Sequence, residues 1–302
     1  MRLHAILLVR DEGDIIAQTL AHLAASFDSV HVLDTGSTDQ TWDIIQNAAR
    51  SNPRVVAHAR VERSAHLGLR AYVFERVRHT FSPGDWLSRV DADEFYHIPP
   101  REFLQHHVVA HEGRVFAQHY DFVVLRSELE AWEQLDQQGA VPSSPDDVQR
   151  TRTRYIVDET MWFEARFFRF RRGMRWHEAQ TNPFNPGLTA LARIPIRHYR
   201  WRSLAQMRTR LALRAQQSAL DPHGEHWHRA DLRSWIIEDA DPRLRTWFPG
   251  CSVDLQLSDP SDMRHLEWPA KRRKQVLLYR TGLPHLLDRF RSGASPEALF
   301  GQ

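Results

Sequence analysis

The first hundred residues alternate short apolar runs with segments in which apolar residues recur every three to four positions. Leu3 to Val9 is a compact apolar run of the kind that forms a buried strand, and an amphipathic helical segment from Ile15 to Leu23, which Asp14 could cap, follows it. The alternation continues with three more predicted strands, at Val30 to Leu33, Val55 to Ala57 and Trp86 to Val90. Strands that alternate with helices predict an α/β fold with a mainly parallel, mixed sheet flanked by helices.

Polar clusters follow three of these predicted strands, at the point where each strand ends. They are Arg10-Asp11, the stretch from Asp34 to Asp39, and the stretch from Asp91 to Glu94. In open α/β sheets, ligands bind beyond the carboxyl ends of the strands. We therefore expect the three clusters to converge in space and to form the functional site.

The pattern is less regular after residue 103. We predict a strand over Val115 to Val124, a hairpin over Glu164 to Trp176, a short strand over Ile194 to Tyr199, a long loop over Gln134 to Thr153, and a helix that Ser203 caps. The rest of the chain is interpreted as a helical C-terminal extension.

These elements suggest two domains. Residues 1–200 form the α/β domain, with a ligand-binding half over about 1–100 and a second half over about 101–200. Residues 201–302 form the helical extension. A chain of 302 residues is long enough for this arrangement and for a substantial core.

Charge and cysteine content exclude several classes of protein. The formal net charge is only +2, which disfavours a nucleic-acid-binding protein, because such proteins usually carry a larger basic excess or a clear basic block. A single cysteine, Cys251, excludes an intrachain disulfide. Neither a membrane-spanning apolar run nor a secretory leader is evident, so we expect a cytoplasmic protein, with a peripheral position at the inner face of the membrane as a further option.

The sequence Asp-x-Asp at Asp91 and Asp93 raises a chemical question, because neighbouring carboxylates repel one another unless a cation lies among them. Carboxylate oxygens suit Mg²⁺ or Mn²⁺, which can bridge a diphosphate and neutralise it as it leaves. Asp34, at another strand end, can accept a hydrogen bond from a nucleobase imide or a ribose. The alternative for both motifs is a structural turn or helix cap.

The stretches "LLVRDEGDIIAQTLAHL", "VHVLDTGSTDQTWDII" and "GDWLSRVDADEFY" together resemble the family 2 glycosyltransferases of the GT-A fold. The resemblance covers about the first hundred residues, and "RWHEA" and "IRHY" fit later parts of the family less specifically. It implies a hexosyltransferase-like enzyme that uses a nucleoside-diphosphate sugar, a UDP-sugar as first choice, with Mn²⁺ or Mg²⁺. The acceptor would be a hydroxyl of a glycan or glycolipid, and a peripheral membrane contact would be compatible with it.

The resemblance also implies residues that bind the nucleotide sugar. Asp34 corresponds to the base-binding aspartate, and Arg10 lies at the strand end where the donor nucleotide is held. Arg70 matches the first residue of an Arg-Asn pair near the nucleotide, but Ala71 follows it here, so the match is partial. Asp91 is expected to act through the ribose or a bound water.

The metal-binding residues implied by the resemblance are Asp91, Asp93 and His198. Asp93 is the expected direct ligand, and His198 matches a late histidine that completes the metal site in GT-A enzymes. The alternative for His198 is a packed or surface residue.

Family 2 enzymes are expected to invert the anomeric centre in one displacement, which requires a base that removes the proton of the acceptor hydroxyl. Glu178, in "MRWHEAQ", is the first choice for this base, and Glu164 is the second. Each could instead be a surface charge.

Two other functions are compatible with parts of the sequence. An Asp-x-Asp phosphohydrolase would use Asp91 as a nucleophile, although such an enzyme would place its aspartates at the first strand. A non-catalytic nucleic-acid or interaction module is suggested by the arginine and aromatic residues of the stretch from Arg150 to Trp176.

Overall fold

The structure is a computed structural model that describes residues 1–62, 67–140, 147–157, 163–177, 180–184, 187–220, 231–252, 254–259 and 261–284. Its strands, in chain order, are β1 (Leu3–Val9), β2 (Ser29–Asp34), β3 (Val55–Arg60), β4 (Trp86–Val90), β5 (Glu94–Tyr96), β6 (Glu112–Phe122), β7 (Val124–Leu125), β8 (Arg154–Val157), β9 (Ala165–Arg169), β10 (Leu188–Thr189), β11 (Ile194–His198), β12 (Ile236–Ile237) and β13 (Arg245–Thr246). Its helices are α1 (Ile16–Ser26), α2 (Thr41–Ser51), α3 (Leu67–Val77), α4 (Pro100–His107), α5 (Arg126–Gln137), α6 (Val148–Thr151), α7 (Leu204–Leu220) and α8 (Arg272–Arg280).

The central sheet has the strand order β13-β8-β6-β9-β4-β1-β2-β3. The four strands β3, β2, β1 and β4 are parallel to their neighbours, whereas β9, β6, β8 and β13 join in antiparallel pairs. The predicted α/β fold with a mainly parallel, mixed sheet flanked by helices is therefore confirmed.

Both faces of the sheet are covered, which explains why its first strand has no polar face. Leu7 and Val9 belong to one core cluster with α1 and α2, and Ile6 and Leu8 belong to a second cluster with α3. Because side chains alternate between the faces of a strand, a strand buried on both faces needs a continuous apolar run. This is the pattern that predicted β1.

Strand β6 connects the part of the sheet formed by β1 to β4 to the rest of the domain. Its first half pairs with β9 and β10, and its second half pairs with β8 and β11. Strand β11 also pairs with β5, which directly follows the Asp91–Asp93 turn. The register places His198 opposite Glu94 on β5 and opposite Asp121 on β6.

Three local predictions were wrong. The expected hairpin over Glu164 to Trp176 is instead β9, a strand that pairs with β4 and β6, because its residues Phe167 and Phe168 are buried on opposite faces of the sheet. The expected loop from residue 134 begins inside α5 and includes α6. Asp14 does not cap α1, because its carboxylate pairs with Arg202.

The chain after residue 200 contains α7 and α8 together with the short strands β12 and β13. These strands pair with β7 and β8, which belong to the first 200 residues. The division into domains at residue 200 stays a prediction. Within the described ranges, no helix has the length and apolar character needed to cross a membrane.

Candidate functional site

The carboxyl ends of β1, β2 and β4 lie side by side at one edge of the sheet. Val9 is opposite Asp34 in the β1–β2 register, and Leu7 is opposite Val90 in the β1–β4 register. The three polar clusters that follow these strands therefore share one edge, as expected from the strand order. Each cluster is fixed there by different contacts.

The turns after β1 and β2 are bound to each other. Asp11 has a backbone φ of 51°, an unusual value for a residue other than glycine, and its Oδ1 accepts a hydrogen bond from the Thr38 amide at 2.5 Å. The Asp11 amide in turn donates to Ser37 Oγ at 2.9 Å. Arg10, which precedes this turn, has Nε 3.7 Å from Asp11 Oδ2. These contacts hold the two strand-end loops in a fixed relative position.

Asp34 is fully buried, and its two carboxylate oxygens have different environments. Oδ1 accepts hydrogen bonds from the amides of Gly36 at 2.8 Å and Ser37 at 2.7 Å. Gly36 has a φ of 96°, which favours glycine, and this conformation forms the turn around Oδ1. Oδ2 is buried and has no hydrogen-bond partner among the residues that the structure describes. A buried acceptor that lacks a partner is costly, so Oδ2 is well suited to accept a hydrogen bond from a ligand.

Asp91 lies between two arginines. Its Oδ1 accepts from Arg70 Nη2 at 2.5 Å, and its Oδ2 accepts from Arg166 Nη2 at 3.0 Å. Burial tends to raise the pKa of Asp91, but Arg166, Arg70 and Arg89 outweigh burial and hold this pKa well below its ordinary value. Asp91 is therefore ionised at neutral pH, and arginines neutralise its charge.

Arg166 is the central cation of this group. It projects from β9 and is 1% exposed. Its guanidinium contacts Glu94 Oε1, Asp91 and Glu164, with 2.8 Å between Nη1 and Glu164 Oε2. Arg89 also donates to Glu164 Oε2, at 2.5 Å. The charges of three arginines thus balance those of three carboxylates. We call these six residues the arginine–carboxylate network: Arg70, Arg89, Arg166, Asp91, Glu94 and Glu164.

Glu94 completes this network from the buried side. His119 Nε2 lies 3.1 Å from Glu94 Oε1, whereas Glu94 Oε2 is buried and has no hydrogen-bond partner within the described part of the chain. Glu164, in contrast, has a side chain that is 44% exposed. The pKa of Glu164 is lowered, chiefly by Arg166 and, against the effect of burial, also by Arg89.

Asp93 belongs to a second group of charges, which involves β11 and α7. Its Oδ2 accepts from Arg210 Nη1 at 2.8 Å and lies 3.5 Å from His198 Nε2. The other ring nitrogen of His198 lies 2.6 Å from Asp121 Oδ1. Burial tends to raise the pKa of Asp93, but Arg210 and His198 hold it well below its ordinary value.

His198 is an imidazolium at neutral pH. Burial disfavours its charged form, but Asp93 and Asp121 outweigh burial and raise the pKa of His198 to about 10. Both ring nitrogens then carry protons and donate to carboxylates.

A third set of contacts ties the β1–α1 turn to α7. Arg202 donates to both carboxylate oxygens of Asp14, at 2.7 and 2.8 Å, and also to Glu12 Oε2. Arg210 Nη1 lies 3.5 Å from Glu12 Oε1. Burial raises the pKa of Glu12 despite these two arginines. The start of α7 is thereby fixed against the same edge of the sheet.

The predicted metal ligands carry atoms that suit a divalent metal, but in this structure those atoms contact other charged side chains. Asp91 and Asp93 offer oxygen and His198 offers nitrogen, yet arginines contact both carboxylates and His198 is protonated. A metal-bound histidine must be unprotonated at the ligating nitrogen. Among the described residues, no group of three His, Cys, Asp or Glu side chains could hold a metal ion. The residues as arranged do not fit a divalent ion, and metal binding stays a prediction from the resemblance.

The predicted site residues are thus largely brought together. Arg10, Asp34, Arg70 and Asp91 lie on or beside the strand-end loops, and Asp93 contacts His198. Glu164, the second choice for the base, contacts the arginine–carboxylate network. Glu178, the first choice, lies outside the described residues. The roles assigned to all of these residues stay predictions.

Sequence reasoning missed several residues that organise this edge. The sequence does not single out Arg166, because the alternation of arginine and aromatic residues over 164 to 176 predicts a hairpin. The available signal was a charged residue between Ala165 and Phe167, in a strand whose next residue is Phe168 and which ends in Arg169. The remaining residues come from distant parts of the chain, and no local spacing connects them with Asp93: His119, Asp121, Arg202 and Arg210.

The fold and this edge together define a class: an α/β protein whose parallel strands end at a polar edge, the place where ligands bind in open α/β sheets. Residues 5–115 match the model of glycosyl transferase family 2, and this segment belongs to that family. The predicted recognition is thereby confirmed: the segment is a family 2 glycosyltransferase domain.

Several solved structures are similar to parts of this chain. A mannosyltransferase of Pyrobaculum calidifontis, in complex with GDP-Man and Mn²⁺, is 18% identical; the match covers 49% of this chain and 48% of that one, with a TM-score of 0.31. S. aureus TarS, in complex with UDP-GlcNAc, is 18% identical over 54% of this chain and 41% of that one, with a TM-score of 0.29. Glucosyl-3-phosphoglycerate synthase of Mycobacterium tuberculosis is 18% identical over 40% and 44%, with a TM-score of 0.24.

The chain therefore spans about half or less of the length of these solved structures. No curated protein sequence matches it.

Proposed function

We propose that this protein transfers a sugar from a nucleoside-diphosphate sugar to a hydroxyl group of a glycan or glycolipid, with inversion at the anomeric carbon. The observation that carries the proposal is the buried, unpartnered Oδ2 of Asp34 at the same sheet edge as the arginine–carboxylate network. The free oxygen of Asp34 suits a nucleobase, and the arginines of the network lie close to the place where a diphosphate would be bound. The family match of residues 5–115 supports the same conclusion.

Asp34 is proposed to bind the base. An ionised carboxylate only accepts hydrogen bonds, so its free oxygen complements a base that presents an N–H group. The imide N–H of uracil satisfies this condition, which makes a UDP-sugar the first choice of donor. The turn amides that donate to Oδ1 keep the carboxylate in place and leave Oδ2 for the base.

Arg70 is proposed to face the diphosphate, and the buried Arg166 is proposed to support it through their shared contact with Asp91. Arginine pairs with phosphate through two parallel hydrogen bonds, and its positive charge stabilises negative charge on a leaving group. Both arginines contact Asp91 in this structure, at 2.5 and 3.0 Å.

The base that removes the acceptor proton is proposed to be Glu178. Glu164 is the described alternative, but Arg166 and Arg89 lower its pKa and so weaken it as a proton acceptor. A proton acceptor works best when its pKa lies near the pH of the reaction. Glu164 is better suited to keep Arg89 and Arg166 in position.

The two alternative functions are less well supported. Arg152 and Arg166, from the stretch that suggested nucleic-acid binding, are buried and paired with Glu128 at 2.9 Å and with Glu94. They are therefore not presented to a nucleic acid. A phosphohydrolase would require Asp91 to attack phosphorus, but both of its oxygens accept hydrogen bonds from arginine.

The proposal is tested by turnover. Purified protein is incubated with a panel of UDP- and GDP-sugars, with and without Mn²⁺, and release of the nucleoside diphosphate is measured. We expect slow hydrolysis of one donor and its loss in Asp93→Asn, with the folded state of the variant checked by thermal denaturation. If no donor is bound or hydrolysed, or if a phosphoaspartate forms at Asp91, the proposal is wrong.

A further inference from the structure

Helix α8 displays an exposed surface that the proposed function does not use. Residues 268–284 contain Lys271, Arg272, Arg273, Lys274 and Arg280 but no aspartate or glutamate. Lys271 and Lys274 are the only lysines in the chain. Several of the most exposed large apolar side chains lie in the same stretch, among them Trp268 at 56% and Leu277 at 64% exposure.

One face of α8 fixes the helix to the rest of the protein. Arg272 donates to Glu112 Oε1 at 2.5 Å and to the Thr189 carbonyl at 2.7 Å. Gln275 and Tyr279, which are three and seven residues further along, line a small cleft with Thr189. This spacing places the three side chains on one side of the helix.

The opposite face is a stripe of basic and apolar side chains. Arg273, Lys274, Leu277 and Leu278 are all exposed, and they lie at the spacing of one helical face. Arg280 is exposed one turn further along. None of the exposed basic residues of α8 makes a salt bridge with any residue that the structure describes. We call Lys271, Arg273, Lys274, Leu277, Leu278 and Arg280 the α8 stripe.

We propose that the α8 stripe binds the surface of a membrane that contains anionic lipids. Leucines on a helix that lies flat insert among the acyl chains, while flanking lysines and arginines contact anionic headgroups. Trp268 belongs to the same surface, since Lys271 Nζ lies 4.6 Å from the centre of its ring. Tryptophan is favoured at the boundary between headgroups and acyl chains.

The chemistry of the stripe disfavours other partners. A second copy of the chain would bring like charges together, and a helix about 14 Å long offers far less area than the ~800 Å² per partner of a stable dimer. A nucleic acid would match the cations but would leave Leu277 and Leu278 without an apolar partner. An anionic lipid surface matches both kinds of side chain.

The stripe is remote from the candidate functional site. Its anchor, Glu112, begins β6, and His119, which contacts Glu94, lies seven residues further along this strand. At about 3.4 Å per residue, the two points are ~24 Å apart. Membrane binding and donor binding can therefore be lost separately, so the failure of one proposal leaves the other intact.

The test is sedimentation of the full chain with vesicles of phosphatidylcholine that contain or lack phosphatidylglycerol. We expect binding only when phosphatidylglycerol is present, and weaker binding in about 0.5 M salt, where charges are screened. Each exposed cation contributes about fivefold in affinity (~1 kcal/mol), so Arg273→Gln with Lys274→Gln should weaken binding about 25-fold. Leu277→Gln should weaken it at least tenfold.

Matched controls come from other exposed helix positions. Arg50→Gln on α2 and Leu135→Gln on α5 change the same residue types outside the stripe, and they should leave vesicle binding within about twofold of wild type. Equal sedimentation with both vesicle types, no sedimentation with either, or equal loss in the control variants would overturn the proposal. So would a dimer that Leu277→Gln dissociates without any binding to vesicles.

Discussion

Replacing Arg166 by methionine should destabilise the protein strongly, because this buried guanidinium is the shared partner of three carboxylates. Each contact at about 3 Å is worth roughly 5–6 kcal/mol of Coulomb energy at an effective dielectric constant near 20. The cost of burying the charges offsets much of this. When a buried ion pair loses one partner, the free energy of unfolding typically falls by about 3–5 kcal/mol, and we expect a net loss of this size here.

The pH dependence of this loss is the specific signature of the network. Against the effect of burial, Arg166 lowers the pKa of Asp91, and it is the largest cause of the lowered pKa of Glu164. Carboxylates with a lowered folded-state pKa add stability that is complete above their unfolded pKa values, about 4, and is lost as the pH falls through that range. The difference in stability between wild type and Arg166→Met should therefore be smaller at about pH 3 than at about pH 7.

The assay is urea unfolding followed by tryptophan fluorescence at both pH values. Arg169→Met is the control, because Arg169 lies on the same strand and, among the described residues, its side chain donates to the Ala110 carbonyl at the surface. We expect it to cost about 1 kcal/mol or less at either pH. A loss below about 1 kcal/mol in Arg166→Met, or a loss that does not change with pH, would refute the assignment of Arg166 as the common cation of the network.

Three further predictions concern the site and the core. Asp34→Asn keeps an acceptor at Oδ1 and replaces the free Oδ2 by a donor. Titration calorimetry should therefore show that uridine nucleotides bind about 10- to 100-fold more weakly, with the fold unchanged. An unchanged affinity would contradict base binding by Asp34. Arg210→Met removes the cation that contacts Asp93. If arginine and metal compete for Asp93, the Mn²⁺ affinity measured by electron paramagnetic resonance should be higher in this variant than in wild type. An equal affinity would count against such a competition. Burial and the neighbouring histidines lower the pKa of His31 to about 3, so its neutral form contributes stability that is complete above about pH 6.5 and is lost towards pH 3. Between about pH 7 and about pH 5, His31 should lower the free energy of unfolding of the native protein by ~2 kcal/mol. His31→Gln should therefore show a smaller fall in melting temperature over this range than wild type. The control His106→Gln, at an exposed position, should show the same fall as wild type.

The part of the fold from β1 to β4 was predictable because its signals are local. The run from Leu3 to Val9 gives the bounds of β1 directly, since a strand buried on both faces is apolar almost throughout, here with His4 as the exception. The turn after Asp34 was equally clear from Gly36 and the polar residues around it. The alternation of strands and helices then indicated a mainly parallel sheet, and with it that the predicted loops share one edge.

The charge partners within the site were not predictable in the same way. Asp-x-Asp indicated that a cation must be present, but not that arginines from β9 and α7 would supply it. Arg166 lies 75 residues from Asp91 and Arg210 lies 117 residues from Asp93 in the sequence. Ion pairs between such distant residues depend on how strands β9 and β11 pack against β4 and β6. No spacing pattern encodes that packing.

The measurement that tests the central claim most directly is a crystal structure of the protein with UDP or a UDP-sugar bound. The account predicts the base against Asp34, with its N–H within hydrogen-bond distance of Oδ2, and the diphosphate beyond the end of β4 near Arg70 and Arg166. A nucleotide bound at another surface, or a base that does not contact Asp34, would contradict it.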